Sequence, residues 1–171
     1  SKPRVAIFDF ACCEGCQLQI VNMEEEILDL ISLVDVVEWR EAMSEKSGGD
    51  YDIAIVEGSI TRPSDEPRLK EIRENAKVLI AIGACATTGG VNRLKNQWDM
   101  DNVKKAAYDG FADSPQLETY PTKGLDEIVK VDYYVHGCPM EKDEFSYIVR
   151  SIALGKEPFI PNHPVCVECK K

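Results

Sequence analysis

Apolar runs that alternate with helical patterns are the feature that most restricts the fold of this chain. β-Branched and aromatic residues run together in these stretches without strict alternation, as in strands buried on both faces. Strands are therefore predicted at 4–10, 36–39, 52–57, 77–82 and 131–136. Helical patterns occur at 17–34, at about 62–75, near 101–107 and around 145–152. This alternation predicts an α/β fold, with a mostly parallel sheet and helices on both faces.

Four cysteines lie where predicted strands end. Cys13 and Cys16 follow the first strand, Cys85 follows the fourth and Cys138 follows the fifth. In parallel α/β sheets, ligands bind outside the carboxyl ends of the strands. We therefore expect these four thiols to meet at one edge of the sheet and to bind a metal cofactor together.

More than one chemistry fits this cysteine set. The Cys13-x-x-Cys16 spacing alone is typical of a thioredoxin-like dithiol or of half a zinc site. Four thiolates are the ligands of a 4Fe-4S cluster, and they also suit tetrahedral zinc. Structural zinc usually holds small loops together, whereas a chain of 171 residues can build a core without it. The iron–sulfur cluster is therefore the favoured hypothesis, and zinc stays open.

Helix N-termini are expected beside two of the thiols. Cys85 and Cys138 each stand just before a predicted helix, and Pro139 suits the first helical position. The helix dipole and the free N–H groups of a first turn stabilise negative charge. Small residues in the stretch 83–90 would let these amides approach the thiol of Cys85 closely.

Other polar residues near these strand ends have weaker claims to a role. Cys12 is surplus to the set of four and is interpreted as a small buried residue. Glu57 and His136 each fit either a place near the site or a structural hydrogen bond in the core. Glu14 could equally face solvent, and His163 is interpreted as a loop residue.

Composition and charge exclude several classes of protein. The net charge of −10 and the lack of a basic patch argue against nucleic-acid binding. Neither a dinucleotide fingerprint nor a phosphate-binding loop is present in the sequence. The apolar runs fall far short of the roughly 20 residues of a membrane helix, and the N-terminus lacks a signal pattern. We expect a cytoplasmic protein whose seven cysteines serve metal or thiol chemistry.

The chain is predicted to have a single domain over 1–157 and a proline-rich tail over 158–171. The tail ends in Cys166-Val167-Glu168-Cys169 and two lysines. Two thiols cannot complete a tetrathiolate site. Cys166 and Cys169 are therefore interpreted as the start of a second iron–sulfur site, as a bridge to a partner, or as free thiols.

Four motifs occur in this order: Cys13-Glu14-Gly15-Cys16, Val56-Glu57-Gly58-Ser59, Gly83-Ala84-Cys85-Ala86-Thr87-Thr88-Gly89-Gly90 and Gly137-Cys138-Pro139. Together they resemble the small subunit of nickel–iron hydrogenases, over essentially the whole chain. The likeness is greatest to the cytoplasmic sulfhydrogenase and methyl-viologen-reducing type. The chain also looks like the 20 kDa-type subunit of respiratory complex I, although a tandem cysteine pair supplies the first ligands in that relative.

The resemblance implies a flavodoxin-like three-layer domain that binds the proximal 4Fe-4S cluster through Cys13, Cys16, Cys85 and Cys138. It also implies a large subunit with the nickel–iron centre, and further electron-transfer subunits. The chain would then be an oxidoreductase subunit that passes electrons and has no catalytic residue of its own. Many relatives continue into a segment with further cluster ligands, and residues 166–169 look like its beginning.

Three alternatives require different chemistry. A complex I-like subunit would pass electrons within a quinone-linked or membrane complex, and Cys12 would then be a ligand. A cluster-free redox protein would use Cys13 and Cys16 as a dithiol. A flavin-binding module has only the fold in its favour, and fold does not establish function.

Overall fold

One central sheet organises the protein, as seen in a computed structural model that describes residues 2–44 and 49–160. Its strands are β1 (Arg4–Asp9), β2 (Asp35–Trp39), β3 (Tyr51–Glu57), β4 (Ala76–Ile82) and β5 (Tyr133–Val135). Their order in the sheet is β2-β1-β3-β4-β5. All four pairings are parallel. The predicted α/β fold with a parallel sheet is therefore confirmed, and each predicted strand is present.

Helices cover both faces of this sheet and complete the three predicted layers. They are α1 (Gly15–Val21), α2 (Glu25–Leu33), α3 (Asp65–Glu74), α4 (Gly83–Thr88), α5 (Met100–Tyr108) and α6 (Lys142–Ala153). One face is packed by α1, α2 and α6, through buried residues such as Leu30 and Ile148. The other face is packed mainly by α3, through Leu69 and Ile72.

The first strand explains why the strands lack a polar alternation. Val5 and Ile7 point into the core cluster on one face of the sheet. Ala6 and Phe8 point into the cluster on the other face. Because successive side chains of a strand point to opposite faces, a strand covered on both sides has to be apolar throughout.

The register of the sheet brings four strand ends to one level. Asp9 lies opposite Glu57, Glu57 lies opposite Ile82, and Ile82 lies opposite Val135. These residues are the last of β1, β3 and β4, and of β5. The loops that follow the four strands therefore start side by side, at the edge where ligands bind in this class of fold.

The helix predicted over 17–34 is two helices. α1 ends at Val21 and α2 begins at Glu25. Glu24 has a φ of 53°, which is outside the helical region. Met23 is buried at the break, where it joins the core below the sheet face. The break thus lets both short helices lie against the same face, which a straight helix would not follow.

The region 91–124, which had few sequence signals, is mostly short helical turns. α5 confirms the helix predicted near 101–107. Short 3₁₀ helices flank it at Gly90–Gln97, Asp109–Phe111, Pro115–Leu117 and Leu125–Glu127. The predicted glycine end of α6 is also confirmed, because Gly155 has a φ of 69° directly after the last turn.

Within the residues that the structure describes, no helix has the length and apolar character to cross a membrane. The predicted boundary after residue 157 stays a prediction, since residues 161–171 lie outside those described. Cys166, Cys169 and His163 belong to that segment.

The core should respond to truncation according to burial. Leu79 in β4 is fully buried, whereas Leu28 on α2 is 61% exposed. We expect Leu79→Ala to lower the free energy of unfolding by about 2–5 kcal/mol, because it leaves a cavity. Leu28→Ala should change it by less than about 0.5 kcal/mol. Urea unfolding followed by circular dichroism measures both, and equal effects would contradict the assigned core.

Candidate iron–sulfur site

Three segments that follow β1, β4 and β5 converge at the carboxyl edge of the sheet. Gly83 begins α4, and a Cβ added there would overlap the Sγ atom of Cys16. Ala84 N–H donates to the carbonyl of Gly137 at 2.7 Å. The first cysteine loop therefore lies against α4, and α4 in turn lies against the segment that carries Cys138.

The electrostatic surroundings of Cys85 show that the four predicted ligands lie near one another. Burial raises the pKa of the Cys85 thiol, and the neighbouring thiols of Cys13 and Cys138 raise it further. Burial also raises the pKa of Cys16 to about 12, with Cys85 among the smaller contributors. Cys85 thus interacts with all three of the other predicted ligands.

Cys12 has different surroundings. Burial raises the pKa of its thiol to about 12, and the charges that add to this effect are those of Glu57, Asp9 and Glu14. Its side chain is half-buried, so the interpretation as a fully buried residue is too strong. Cys12 thus faces carboxylates, whereas Cys13 faces the thiol of Cys85.

The four thiols span a gradient of exposure across the edge. Cys16 is buried with 6% of its surface exposed, Cys85 is intermediate, and Cys13 and Cys138 are exposed. Among residues 2–44 and 49–160, no three His, Cys, Asp or Glu side chains surround a point as ligands of a single metal ion. A 4Fe-4S cluster takes four cysteine thiolates. The number and chemistry of these donors fit such a cluster.

Two predicted helix starts are wrong. Cys85 lies inside α4, which begins at Gly83. Pro139 is not in a helix: it follows Cys138 through a cis peptide bond, and α6 begins only at Lys142. Gly137 and Met140 pair across this turn, so the chain doubles back before the helix starts. The predicted help from the first turns of helices therefore does not apply at these two thiols.

Glu57 is the polar residue that the sequence placed least well. Its side chain is 2% exposed. Cys16 N–H donates to its Oε1 atom and Gln17 N–H donates to its Oε2 atom, each at 3.1 Å. Both interpretations of Glu57 hold together, because it makes structural hydrogen bonds and it lies beside the site.

Arg40 also supports the first cysteine loop, and no local pattern had identified it. Its guanidinium lies 3.0 Å from Asp9, 2.8 Å from Glu14 and 3.1 Å from Glu41. These contacts connect the ends of β1 and β2 to the loop. Glu14 is therefore paired, and the expectation that it could simply face solvent is wrong.

His136 lies on the surface, so its interpretation as a core histidine is wrong. Its ring stacks on that of Tyr134, with 6.0 Å between the ring centroids. Asn92, which the sequence analysis missed, donates its side-chain N–H to the Ala11 carbonyl and to Ser59 Oγ, each at 2.9 Å. Asn92 thereby joins the segment after α4 to the start of the first cysteine loop.

A comparison with protein families now bears on this geometry. Residues 13–152 match the model of the NADH ubiquinone oxidoreductase 20 kDa subunit family. The chain belongs to this family. The matched range contains each of the four predicted ligands, and it leaves out Cys12.

Relatives of the chain carry the names of hydrogenase subunits. Subunit delta of sulfhydrogenase 2 from Pyrococcus furiosus is 32% identical, over 98% of this chain and 69% of that protein. Subunit delta of the NAD-reducing hydrogenase HoxS from Cupriavidus necator is 28% identical, over 94% of this chain and 83% of that protein. A longer hydrogenase polypeptide from Methanothermobacter marburgensis is 31% identical, and the chain spans 56% of its length.

A solved structure shares the fold over nearly the whole chain. It is a chain of an NAD⁺-reducing [NiFe]-hydrogenase in the H₂-reduced state, with 26% identity and a TM-score of 0.84. The match covers 95% of this chain and 97% of that chain. The sequence resemblance to hydrogenase small subunits is thus confirmed. So is the assignment of the chain to a family of oxidoreductase subunits.

The cysteines should differ in reactivity in the metal-free chain. We expect iodoacetamide to modify Cys13 and Cys138 first and Cys16 last, because Cys16 is buried and burial raises its thiol pKa. Gly83→Ala should speed the modification of Cys16, since the added Cβ displaces its sulfur. Mass spectrometry of the alkylated chain measures the order.

Gly110→Ala is the matched control for this experiment. A Cβ at Gly110 meets nothing within 4 Å, so the modification rates should stay as they are in the unchanged chain. Equal rates at Cys16 in the Gly83→Ala variant and the control would contradict the assigned contact.

Proposed function

We propose that the chain is the electron-transfer small subunit of a nickel–iron hydrogenase. It carries one proximal 4Fe-4S cluster on Cys13, Cys16, Cys85 and Cys138. The cluster relays electrons between the nickel–iron centre of a large subunit and a downstream acceptor in the cytoplasm. The hydrogen chemistry itself belongs to the large subunit in this proposal.

The observation that carries the proposal is the convergence of four thiols from three distant segments. Cys85 interacts with Cys13, Cys138 and Cys16, and four thiolates are the ligand set of a cubane. The hydrogenase names of the relatives support the choice of complex. A cluster at Cys166 and Cys169 stays a prediction of the sequence.

The cluster, when bound, accepts and gives up single electrons at the protein edge. The residues of this chain hold its ligands in place and limit water on one side. Cys16 is buried beside Gly83, and the backbone N–H of Met140 hydrogen-bonds to its sulfur. Cys13 and Cys138 are exposed, so the opposite side is open to a partner.

An apolar surface next to the thiols supports docking of a large subunit. The residues 91–111 contribute several large apolar side chains to the surface: Val91, Leu94, Trp98, Tyr108 and Phe111. This segment starts at the site, because a Cβ at Gly90 would lie 3.0 Å from Cys85 Sγ. Exposed apolar patches of this kind mark interaction surfaces. Electron transfer requires short distances, so a partner centre has to approach this side.

Single Cys→Ser changes test the ligand set. Anaerobically purified complex should contain about four iron and four acid-labile sulfide per chain at this site. We expect changes at Cys13, Cys16, Cys85 or Cys138 to lower both contents and the EPR signal of the reduced cluster. Cys12→Ser should leave them unchanged, and it is the matched control because it removes a neighbouring thiol.

Three results would contradict the proposal. Zinc without sulfide would replace the cluster by a structural metal site. Dithiol activity that persists after Cys85→Ser, without iron, would favour the cluster-free redox protein. Loss of the cluster in Cys12→Ser but not in Cys13→Ser would shift the ligands to the tandem pair of a complex I-like subunit.

Charge placed on the apolar surface should weaken docking. Val91 and Leu94 are 67% and 53% exposed, so Glu in their place costs little in the free chain and much in a dry interface. We expect Leu94→Glu and Val91→Glu each to lower the affinity for the nickel-containing large subunit at least tenfold, or about 1.4 kcal/mol. Co-purification and nickel analysis measure this.

Leu28→Glu is the control for the docking experiment. Leu28 is also exposed, but it lies on α2, away from the segment that adjoins Cys85. Its affinity for the large subunit should stay within about twofold of the unchanged chain. An equal loss for Leu28→Glu, or no loss for the other two, would place the docking surface elsewhere.

A further inference from the structure

Glu57 makes an unusual pair of contacts for a buried acidic residue. Its two carboxylate oxygens accept from two separate backbone N–H groups, those of Cys16 and Gln17. Accepting on both oxygens without donating is the pattern of an ionised carboxylate. A buried charge of this kind is held by hydrogen bonds because desolvation alone would neutralise it.

The backbone around Glu57 is fixed on both sides. Phe10 N–H donates to the Glu57 carbonyl at 2.9 Å. Gly58 has a φ of 98°, and a Cβ there would lie 2.7 Å from the carbonyl carbon of Phe10. Ser59 and Ala11 then exchange two backbone hydrogen bonds, at 3.0 and 3.1 Å. The carboxylate therefore starts from a rigid position beside the first cysteine loop.

The network continues beyond Gln17 to the second strand. The indole N–H of Trp39 donates to Gln17 Oε1 at 2.8 Å, and both side chains are buried. Glu57 thus holds the loop through Cys16 and Gln17, and Trp39 holds Gln17 from the opposite side. Loss of the carboxylate would leave two buried N–H groups without their acceptors, which is costly.

We propose that Glu57 is a positioning residue that holds the Cys16 end of the ligand loop and lowers the reduction potential of the cluster by its buried negative charge. This inference rests on the proposed function, since it requires a cluster on Cys16. The potential of an iron–sulfur cluster depends on net charge, on hydrogen bonds to sulfur and on solvent exposure.

Two physical effects of Glu57 act in the same direction. A negative charge in a site of low dielectric disfavours the addition of an electron nearby. The carboxylate also takes up the N–H groups of Cys16 and Gln17, and these are then not available as donors to sulfur. Fewer donors to sulfur also stabilise the reduced cluster less.

Glu57→Gln removes the charge and keeps the length of the side chain. We expect the equilibrium constant for reducing the proximal cluster to rise at least tenfold, which is about 59 mV for one electron. EPR-monitored redox titration of the intact complex, purified anaerobically, measures this potential. Activity is not needed for the readout.

Asp52→Asn is the matched control. Asp52 is on the same strand, β3, and it also accepts a backbone N–H, from Arg4 at 2.8 Å. It lies at the amino end, about 17 Å from Glu57 by the rise of a strand. Neutralising it should leave the equilibrium constant within about twofold of the unchanged protein.

Each outcome has a defined meaning. An intact cluster in Glu57→Gln with a potential like that of the control overturns the inference. If Glu57→Gln holds no cluster, Glu57→Asp decides: a restored cluster of unchanged potential supports the role of the charge, and no restoration overturns it. A cluster missing from the unchanged complex would defeat the proposed function instead.

Discussion

The parallel register of the sheet is the constraint on which the rest of the structure depends. β1, β3, β4 and β5 end at the same level because Asp9, Glu57, Ile82 and Val135 lie opposite one another in turn. Each loop after a strand therefore starts within reach of the next. Thiols that are more than a hundred residues apart in sequence, such as Cys13 and Cys138, meet without any loop being long at the site itself.

Much of this arrangement could be predicted because its signals are local. Apolar runs identify strands, and a cysteine directly after a run identifies a strand end. The break at Glu24 was not predicted, because apolar spacing continues across it and the backbone turn has no glycine to announce it. The start of α6 was misplaced because Pro139 suits a helix start and a turn equally well.

Side-chain contacts across long sequence separations escaped the sequence for another reason. Glu57 bonds to Cys16 and Gln17 from forty residues away, and Arg40 reaches Glu14 from the end of another strand. Nothing in the local pattern around either residue specifies its partner. Burial of a carboxylate becomes intelligible only when the fold shows which N–H groups face it.

The fourth cysteine depends on a weak part of the sheet. β5 has three residues, Tyr133–Val135, and forms the edge of the sheet with β4 as its neighbour. Local opening of proteins starts where few backbone hydrogen bonds and contacts hold a segment. Fraying of β5 would carry Cys138 away while the buried Cys16 kept its place. The lifetime of a four-thiol site is therefore set by its shortest strand, and a subunit covering that edge would lengthen it.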